Sequence, residues 1–400
     1  MNRKLLYRKL DRLIGIPILM FLALLFKRRK TFPAFDVQKI LVVKFAAIGD
    51  SIMLIPMLRT LRRSYPKAEI TFLCSDINVS IIKKVPYLDK VVVENIHNFL
   101  SNPMRFLKMI YELRKNKYSI IIDTEQWSRI SPIIIALLKY DFSVGFKTEG
   151  QYKHFMFNRV INHSREKHEL DTFMDLLQPL FVPVYESDYV LEYFLNEDNE
   201  LTADNFFEEN NLAGKRVITL HPGCGGLGAP REWDIERYVS LGKRLIEYDS
   251  EIVLLISGAP NEKEKCGALE KGLREIYGDS EKIINFSGKY SLDDVVAIIK
   301  RVTLIVCSNT GMLHLASCMG TKTMGLHGPT NPAKWGAYSK NTVLIQSDKY
   351  CSPCLYLGHD YGCKAPSCMS HISVDDVFIH IRKALNPELF PEELKWIIKE

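Results

Sequence analysis

The chain has 400 residues, beyond the ~250–300 at which single cores usually stop growing, so two domains are expected. A hydrophobic share of 47% with 25% charged residues is globular, and a net charge of +6 suits acidic surfaces or phosphorylated ligands while falling short of a nucleic-acid signature. Of nine cysteines, Cys74, Cys224, Cys266, Cys307 and Cys318 are scattered without framework spacing, which fits a reducing compartment.

From the N-terminus, residues 13 to 26 (LIGIPILMFLALLF) form a continuous apolar run, with Arg3, Lys4, Arg8, Lys9 and Arg12 before it and Lys27 to Lys30 after it. The run is shorter than the ~20 residues of an ordinary membrane span. KRRK follows where a signal peptide would carry a small-residue cleavage site. The preferred reading is an N-terminal segment, residues 1–35, whose helix bends at Pro17 and lies in or re-enters the membrane interface, with a span and a helix merely packed on the protein as the alternatives. Its lysines and arginines would meet anionic headgroups.

From Gln38 the pattern alternates. KILVVKF is strand-like, SIMLIPMLRTLRRSY sets Ile52, Ile55, Leu58 and Leu61 along one helical stripe, and EITFLC, KVVVE and SIIIDT supply further strands. This predicts an α/β domain with a parallel sheet over residues 36–184. It closes near Val182, where VPVYESDYVLEYFLNEDNE turns extended and then acidic, as a linker would. A second series, RVITLHPG, EIVLLISG, KIINFSG, TLIVCSN and TKTMGLHG, predicts another α/β domain over residues 185–385, followed by a C-terminal helix over 386–400. The expected architecture is two Rossmann-like domains whose parallel sheets face each other across a cleft.

Ligands of such open sheets bind beyond the carboxyl ends of the strands. The notable turns fall there: Gly49-Asp50, His221-Pro222-Gly223, Ser257-Gly258-Ala259-Pro260, Asn309-Thr310-Gly311 and Gly328-Pro329-Thr330. None reads G-x-G-x-x-G or G-x4-G-K-[ST], which argues against a nicotinamide dehydrogenase and a P-loop ATPase alike. In CSNTGMLHLASCMG a polar turn opens an apolar helix. The N–H groups of Thr310, Gly311 and Met312 and the helix dipole favour an anion there, with His314 one turn on from Thr310. A phosphorylated ligand is the expected guest. Farther on, Cys351, Cys354, Cys363 and Cys368 read C-x2-C-x8-C-x4-C, which is either a zinc set or simply a compact loop carrying Pro353 and Pro366.

ILVVKFAAIGDSIMLIPMLRTLRRSYPKAEITFL, VITLHPGCGG followed by REWDIERYVSLGKRL, and SNTGMLHLASCMGTKTMGLHGPTNPAKWGAY resemble, in order, glycosyltransferase family 9, the heptosyltransferase family of lipopolysaccharide assembly. The resemblance implies a GT-B fold and a nucleotide-diphosphate-sugar donor held mainly by the C-terminal domain. It further implies inverting, metal-independent transfer to a lipid-linked saccharide, with no cofactor. Two positions depart from the family pattern. Asn309 stands where heptose-using members usually carry aspartate, which removes a carboxylate from the sugar and diphosphate region. Arg231, two residues before Trp233, stands where they carry lysine, and a guanidinium grips phosphate at least as well.

Under this resemblance Asp50 is the expected general base, with Gly49 and Ser51 on the acceptor side, although an aspartate at a helix start is also an ordinary N-cap. Arg231 would neutralise charge building on the departing diphosphate, or is a surface arginine beside a helix. Gly223, Ser257, Gly258 and Glu262 follow central strands where ribose or base would rest, Glu262 being equally a first-turn glutamate favoured by the dipole. Asn309, Thr310, Gly311, Met312 and His314, with Gly328, Pro329 and Thr330, complete the donor side. Trp335 and Tyr338 pack beside the donor or fill the domain seam. Arg59, Arg62, Arg63, Lys67, Arg105, Lys108, Arg114 and Lys115 meet an acidic acceptor or, for most of them, form a solvated basic face.

The expected function is sugar transfer at the cytoplasmic face of the inner membrane. The donor is a nucleotide sugar resembling ADP-heptose, the acceptor a lipid-linked glycan, and residues 13–30 touch the membrane. A nucleotide-sugar epimerase on the same scaffold is one rival, and it would need no membrane helix. A non-catalytic nucleotide-sugar-binding subunit is the other, and Asp50 with Arg231 argues against it.

Overall fold

The structure, a computed structural model, describes residues 3–25, 36–95, 102–225, 228–357, 363 and 366–386, with backbone alone for 3–10 and 12. Lys27 to Lys30 and the C-terminal segment after Asn386 lie outside the described residues. Contacts divide the chain into two compact units, Met1–Glu192 and Tyr193–Glu400.

The first unit is built on β1 (Lys39–Val43), β2 (Glu69–Cys74), β3 (Lys90–Val93), β4 (Tyr118–Asp123), β5 (Tyr140–Lys147) and β6 (Arg159–Asn162). They form one parallel sheet in the order β3-β2-β1-β4-β5-β6. β1, β2 and β4 are buried almost throughout, because a sheet covered on both faces needs apolar side chains on both. Around it stand α1 (Arg3–Leu25), α2 (Ile48–Ser64), α3 (Val79–Ile82), α4 (Pro103–Lys115), α5 (Ile130–Ala136) and α6 (Glu169–Asp175). α2 packs on α6. Right-handed crossovers carry α4 and α5 to the other face, where Met109, Ile110, Leu113, Ile134 and Ile135 cover Leu41, Val43, Leu73 and Ile121.

α1 runs through Pro17 without interruption and docks on α5. Leu19 is fully buried with Ala136 and Met156. Asp11 accepts from the Arg129 backbone N–H at 2.9 Å and from its Nη1 at 2.7 Å. Among the described residues no helix is long and apolar enough to cross a membrane.

The second unit repeats the plan with β7 (Arg216–His221), β8 (Ile252–Ile256), β9 (Ile283–Asn285), β10 (Leu304–Ser308), β11 (Lys322–His327) and β12 (Thr342–Gln346), parallel in the order β12-β11-β10-β7-β8-β9. Its helices are α7 (Glu197–Glu209), α8 (Ile235–Tyr248), α9 (Lys263–Tyr277), α10 (Leu292–Arg301), α11 (Gly311–Cys318), α12 (Pro332–Trp335) and α13 (Val374–Leu385). The acidic stretch read as linker begins α7, which Asn196 caps by accepting from Asn199 N, and the helix packs on α10. Strands β5, β6 and β12 add to those expected from the sequence.

Each sheet lays three strands to one side, then returns to the middle. The order reverses between β1 and β4 in the first unit and between β7 and β10 in the second. Such a reversal opens a crevice beyond the strand ends, the usual ligand position in doubly wound sheets.

Candidate active site

In the first unit α2 takes its N-cap at Ala47, so Gly49, Asp50 and Ser51 lie inside its first turn and Asp50 is not the capping residue. The Asp50 side chain is 20% exposed, and its Oδ2 is held by Lys44 Nζ at 2.9 Å and by Gln126 Nε2 at 2.8 Å. Oδ1 has no hydrogen-bond partner among the described residues.

Lys44, one residue past β1, is fully buried. Burial is the largest influence on it and favours loss of the proton, yet the joint pull of Asp50, Glu125 and Glu169 leaves its pKa above the ordinary lysine value. The ammonium stays charged and also donates to Gln126 Oε1 at 2.5 Å. Gln126, just beyond β4, donates to Glu169 Oε1 at 2.9 Å, and Glu169 meets His163 Nε2 at 3.0 Å. Glu125 accepts from Phe45 N at 2.6 Å and so pins the loop leading to Asp50; burial pushes its carboxyl above the usual range. Lys153 pairs with Asp123 Oδ2 beneath, at 3.0 Å. Ser51 is fully buried, donating to the Ala47 carbonyl at 2.8 Å and accepting from Asn78 Nδ2 at 3.0 Å, so it supports the turn from below. The result is a carboxylate with a fixed, buried counter-charge and one oxygen open. That is what accepting a proton in a set direction requires.

In the second unit Arg231 ends a short turn (Ala229–Arg231) after β7, and its Nη1 donates to the Asn309 carbonyl at 3.1 Å. Asn309 follows β10 and donates from Nδ2 to the Trp335 carbonyl at 2.6 Å. An aspartate there would set a carboxylate against that carbonyl, so the asparagine fits its surroundings for a local reason. Thr310 caps α11, its hydroxyl accepting from Met312 N at 3.2 Å, and Gly311 opens the helix. Thr310 and Gly311 are half-exposed at the positive end of α11, while Met312 and His314 are buried. Among the described residues Arg231 pairs with no carboxylate, and its Nε is buried without a hydrogen-bond partner. Beside it, burial first, then His314 and Arg231, drive the His327 imidazole down from 6.5 to about 3, so it is neutral.

The other residues expected on the donor side fall into two groups. Glu262 is buried and ties two loops together, accepting from Gly225 N and from Ala259 N, each at 2.8 Å. Gly223 lies so close that a Cβ there would stand 2.1 Å from the Glu262 carboxyl carbon. Ser257 is fully buried, paired with His221 Nδ1 at 2.9 Å, and Gly258 follows it. After β11, the Gly328 carbonyl accepts from Gln346 Nε2 at 2.9 Å, and the Pro329 carbonyl accepts from Cys354 N and Leu355 N at 2.9 and 2.7 Å. Thr330 is buried against His327 Nδ1 at 3.0 Å. This turn is therefore engaged by the cysteine-bearing loop. Of the two readings of this loop, a zinc set or a compact loop, the structure bears only on placement: among the described residues no group of three or more His, Cys, Asp or Glu is placed to hold a metal. Cys351, Cys354 and Cys363 are exposed, while Cys368 is buried, near where a Gly328 Cβ would point.

The sequence reading missed Lys44, Glu125, Gln126, His163 and Glu169. A lysine directly after an apolar strand, and the polar TEQ that ends SIIIDTEQ, were the available signals.

The sequence model of glycosyltransferase family 9 (heptosyltransferase) matches residues 106–364. The lipopolysaccharide core heptosyltransferase OpsX of Haemophilus influenzae is 21% identical over 356 residues, covering 86% of this chain and 96% of that protein. A solved glycosyl transferase family 9 structure from Veillonella parvula superposes with a TM-score of 0.72 at 19% identity, covering 89% of this chain and all of that one. The structure of E. coli ADP-heptose lps heptosyltransferase II gives a TM-score of 0.66 at 19% identity over 88% of this chain and 100% of that one. The chain belongs to glycosyltransferase family 9 and is a glycosyltransferase.

Proposed function

We propose that the protein moves a sugar, a heptose first among candidates, from a nucleotide-diphosphate donor to a lipid-linked glycan of the lipopolysaccharide type. The observation that carries this is the pairing of chemistries at equivalent topological positions. Asp50 holds an open oxygen at the switch point of one unit, and Arg231 stands with the α11 N-terminus at that of the other. Asp50 takes the proton of an acceptor hydroxyl as that oxygen bonds to the anomeric carbon from the face opposite the leaving group. The nucleotide diphosphate departs with the bonding electron pair, and Arg231 and the N–H groups of Thr310 to Met312 meet its growing charge. This is an inverting, metal-independent scheme, which inversion at the anomeric carbon and activity in excess chelator would support. The family relatives named as lipopolysaccharide heptosyltransferases favour ADP-heptose as the first donor to try.

The same reading places the protein at the cytoplasmic face of the inner membrane. α1 supports it: one face packs on α5, while Leu13, Phe21 and Leu24 on the other are 71%, 61% and 83% exposed. An in-plane helix buries such a stripe in the interface.

The test is a thermal-shift panel of nucleoside diphosphates and nucleotide sugars followed by a transfer assay. A ligand at 100 times its dissociation constant adds ~2.7 kcal/mol, so a bound donor raises the melting temperature visibly. No shift with any nucleotide, and no transfer from ADP-heptose, would sink the reading.

A further inference from the structure

We propose that the outer face of α4 is a second membrane-contacting surface, which together with α1 seats the first unit on an anionic phospholipid bilayer. This rests on the reading of α1 as membrane-facing and extends it to an element that lies far from α1 in sequence.

α4 buries Met109, Ile110 and Leu113 against the sheet, which turns Met104, Leu107 and Tyr111 outward, spaced as one helical stripe. They are 73%, 58% and 61% exposed. Arg105, Lys108 and Lys115 fringe the stripe, and residues 103–117 carry five basic side chains against one acidic. Lys108 has no ion-pair partner among the described residues. Arg105 pairs with Glu94 and Lys115 with Glu112, as Arg59, Arg62 and Arg63 of α2 pair with Glu192, Asp89 and Asp188, so the surplus on α4 rests on its net excess of basic residues, Lys108 among them. The apolar stripe and the excess positive charge therefore coincide on α4, the combination an anionic interface recognises.

The fold joins α4 to α1 through α5. α5 lies between them, with Arg129, Ile133 and Ala136 towards α1 and Ile134 and Ile135 in the core shared with α4. α5 thus touches α1 and shares a core with α4. The sequence of α1 repeats the charge pattern of α4, with Arg3, Lys4, Arg8, Lys9 and Arg12 against Asp11. One in-plane helix leaves a domain free to roll about its axis. A second contact fixes the roll and lays the sheet along the bilayer.

Flotation of the full chain with vesicles of phosphatidylethanolamine and phosphatidylglycerol, against phosphatidylcholine alone, tests this. Leu107→Ser with Tyr111→Ser alters exposed side chains only, so the melting temperature and nucleotide response should stay as in wild type. Partition onto the anionic vesicles should fall about tenfold. Lys108→Gln should lower it about fivefold, and only where phosphatidylglycerol is present. If both α4 variants bind as wild type while Leu13→Ser with Leu24→Ser loses binding, the α4 surface is overturned and the α1 reading stands. If all three variants bind as wild type, both are overturned. If the α4 changes leave vesicle binding intact but shift the sedimentation of the lipid-free protein to a smaller species, the face is a contact between two copies and the proposal fails.

Discussion

The two switch points hold opposite charges, and they hold them differently. At the first, the Asp50 carboxylate already has its counter-charge, a buried ammonium 2.9 Å away. At the second, the Arg231 guanidinium leans on a carbonyl and an amide, both neutral. A group that must exchange a proton needs a fixed environment so that its open lone pair points one way. A group that must receive an anion gains by lacking one beforehand, because an internal carboxylate would compete with the ligand. One topology used twice thus yields a carboxylate with its counter-charge in place and a guanidinium without one.

The comparison breaks most visibly at Asp50. Asp50→Ala should lower turnover by roughly 10²–10⁴-fold with donor affinity nearly unchanged, since proton transfer belongs to the transition state. Calorimetric donor binding beside transfer kinetics checks this, and wild-type turnover in the variant would mean that the base lies elsewhere. Lys44→Met should cost about 3 kcal/mol in urea unfolding, the low end for a broken buried pair because Asp50 is partly solvated. Adding Asp50→Asn should restore part of that loss, and simple additivity of the two changes would show that the pair does not couple. Arg231→Ala should weaken nucleotide binding by about tenfold to 150-fold, the worth of charge-assisted hydrogen bonds, and lower turnover as well. Unchanged nucleotide affinity would remove Arg231 from the donor site.

The smallest effect is with pH. The His327 pKa stands at about 3 in the folded protein against an ordinary 6.5, so between those values the unfolded chain binds the extra proton. Its contribution to stability is therefore fully present above 6.5 and declines as pH falls below that value. Lowering the pH to five should cost on the order of 1–2 kcal/mol. His327→Phe should flatten that slope, and an equal slope in the variant would assign the loss to other groups.

Much of this was legible beforehand. The strands that flank the switch points read as apolar runs because both their faces are buried, and IGD, SNTG and REW sit at their ends or just beyond. What escaped was held in tertiary contacts. Gln126 and Glu169 meet over 43 residues of sequence and Lys44 and Gln126 over 82, separations at which no local periodicity exists. β5 mixes buried with exposed positions and contains Asp141, Ser143 and Gly145, and β6 has four residues, so neither gives an apolar run. The cysteine spacing left a zinc set and a compact loop both open, and it gave no sign that the loop's backbone holds Pro329.

The Glu262 carboxylate spans two loops, one after β7 and one after β8, through Gly225 N and Ala259 N. Those loops are consequently tied to each other. Any ligand that draws the Arg231 loop inward must either carry the β8 loop with it or break a charge-assisted hydrogen bond. Breaking such a bond is a step with a barrier, so opening and closing at the second switch point should be a jump between two states rather than a drift. Residues on the β8 side would then influence how long an anion held by Arg231 stays, even though Arg231 is anchored on the other loop.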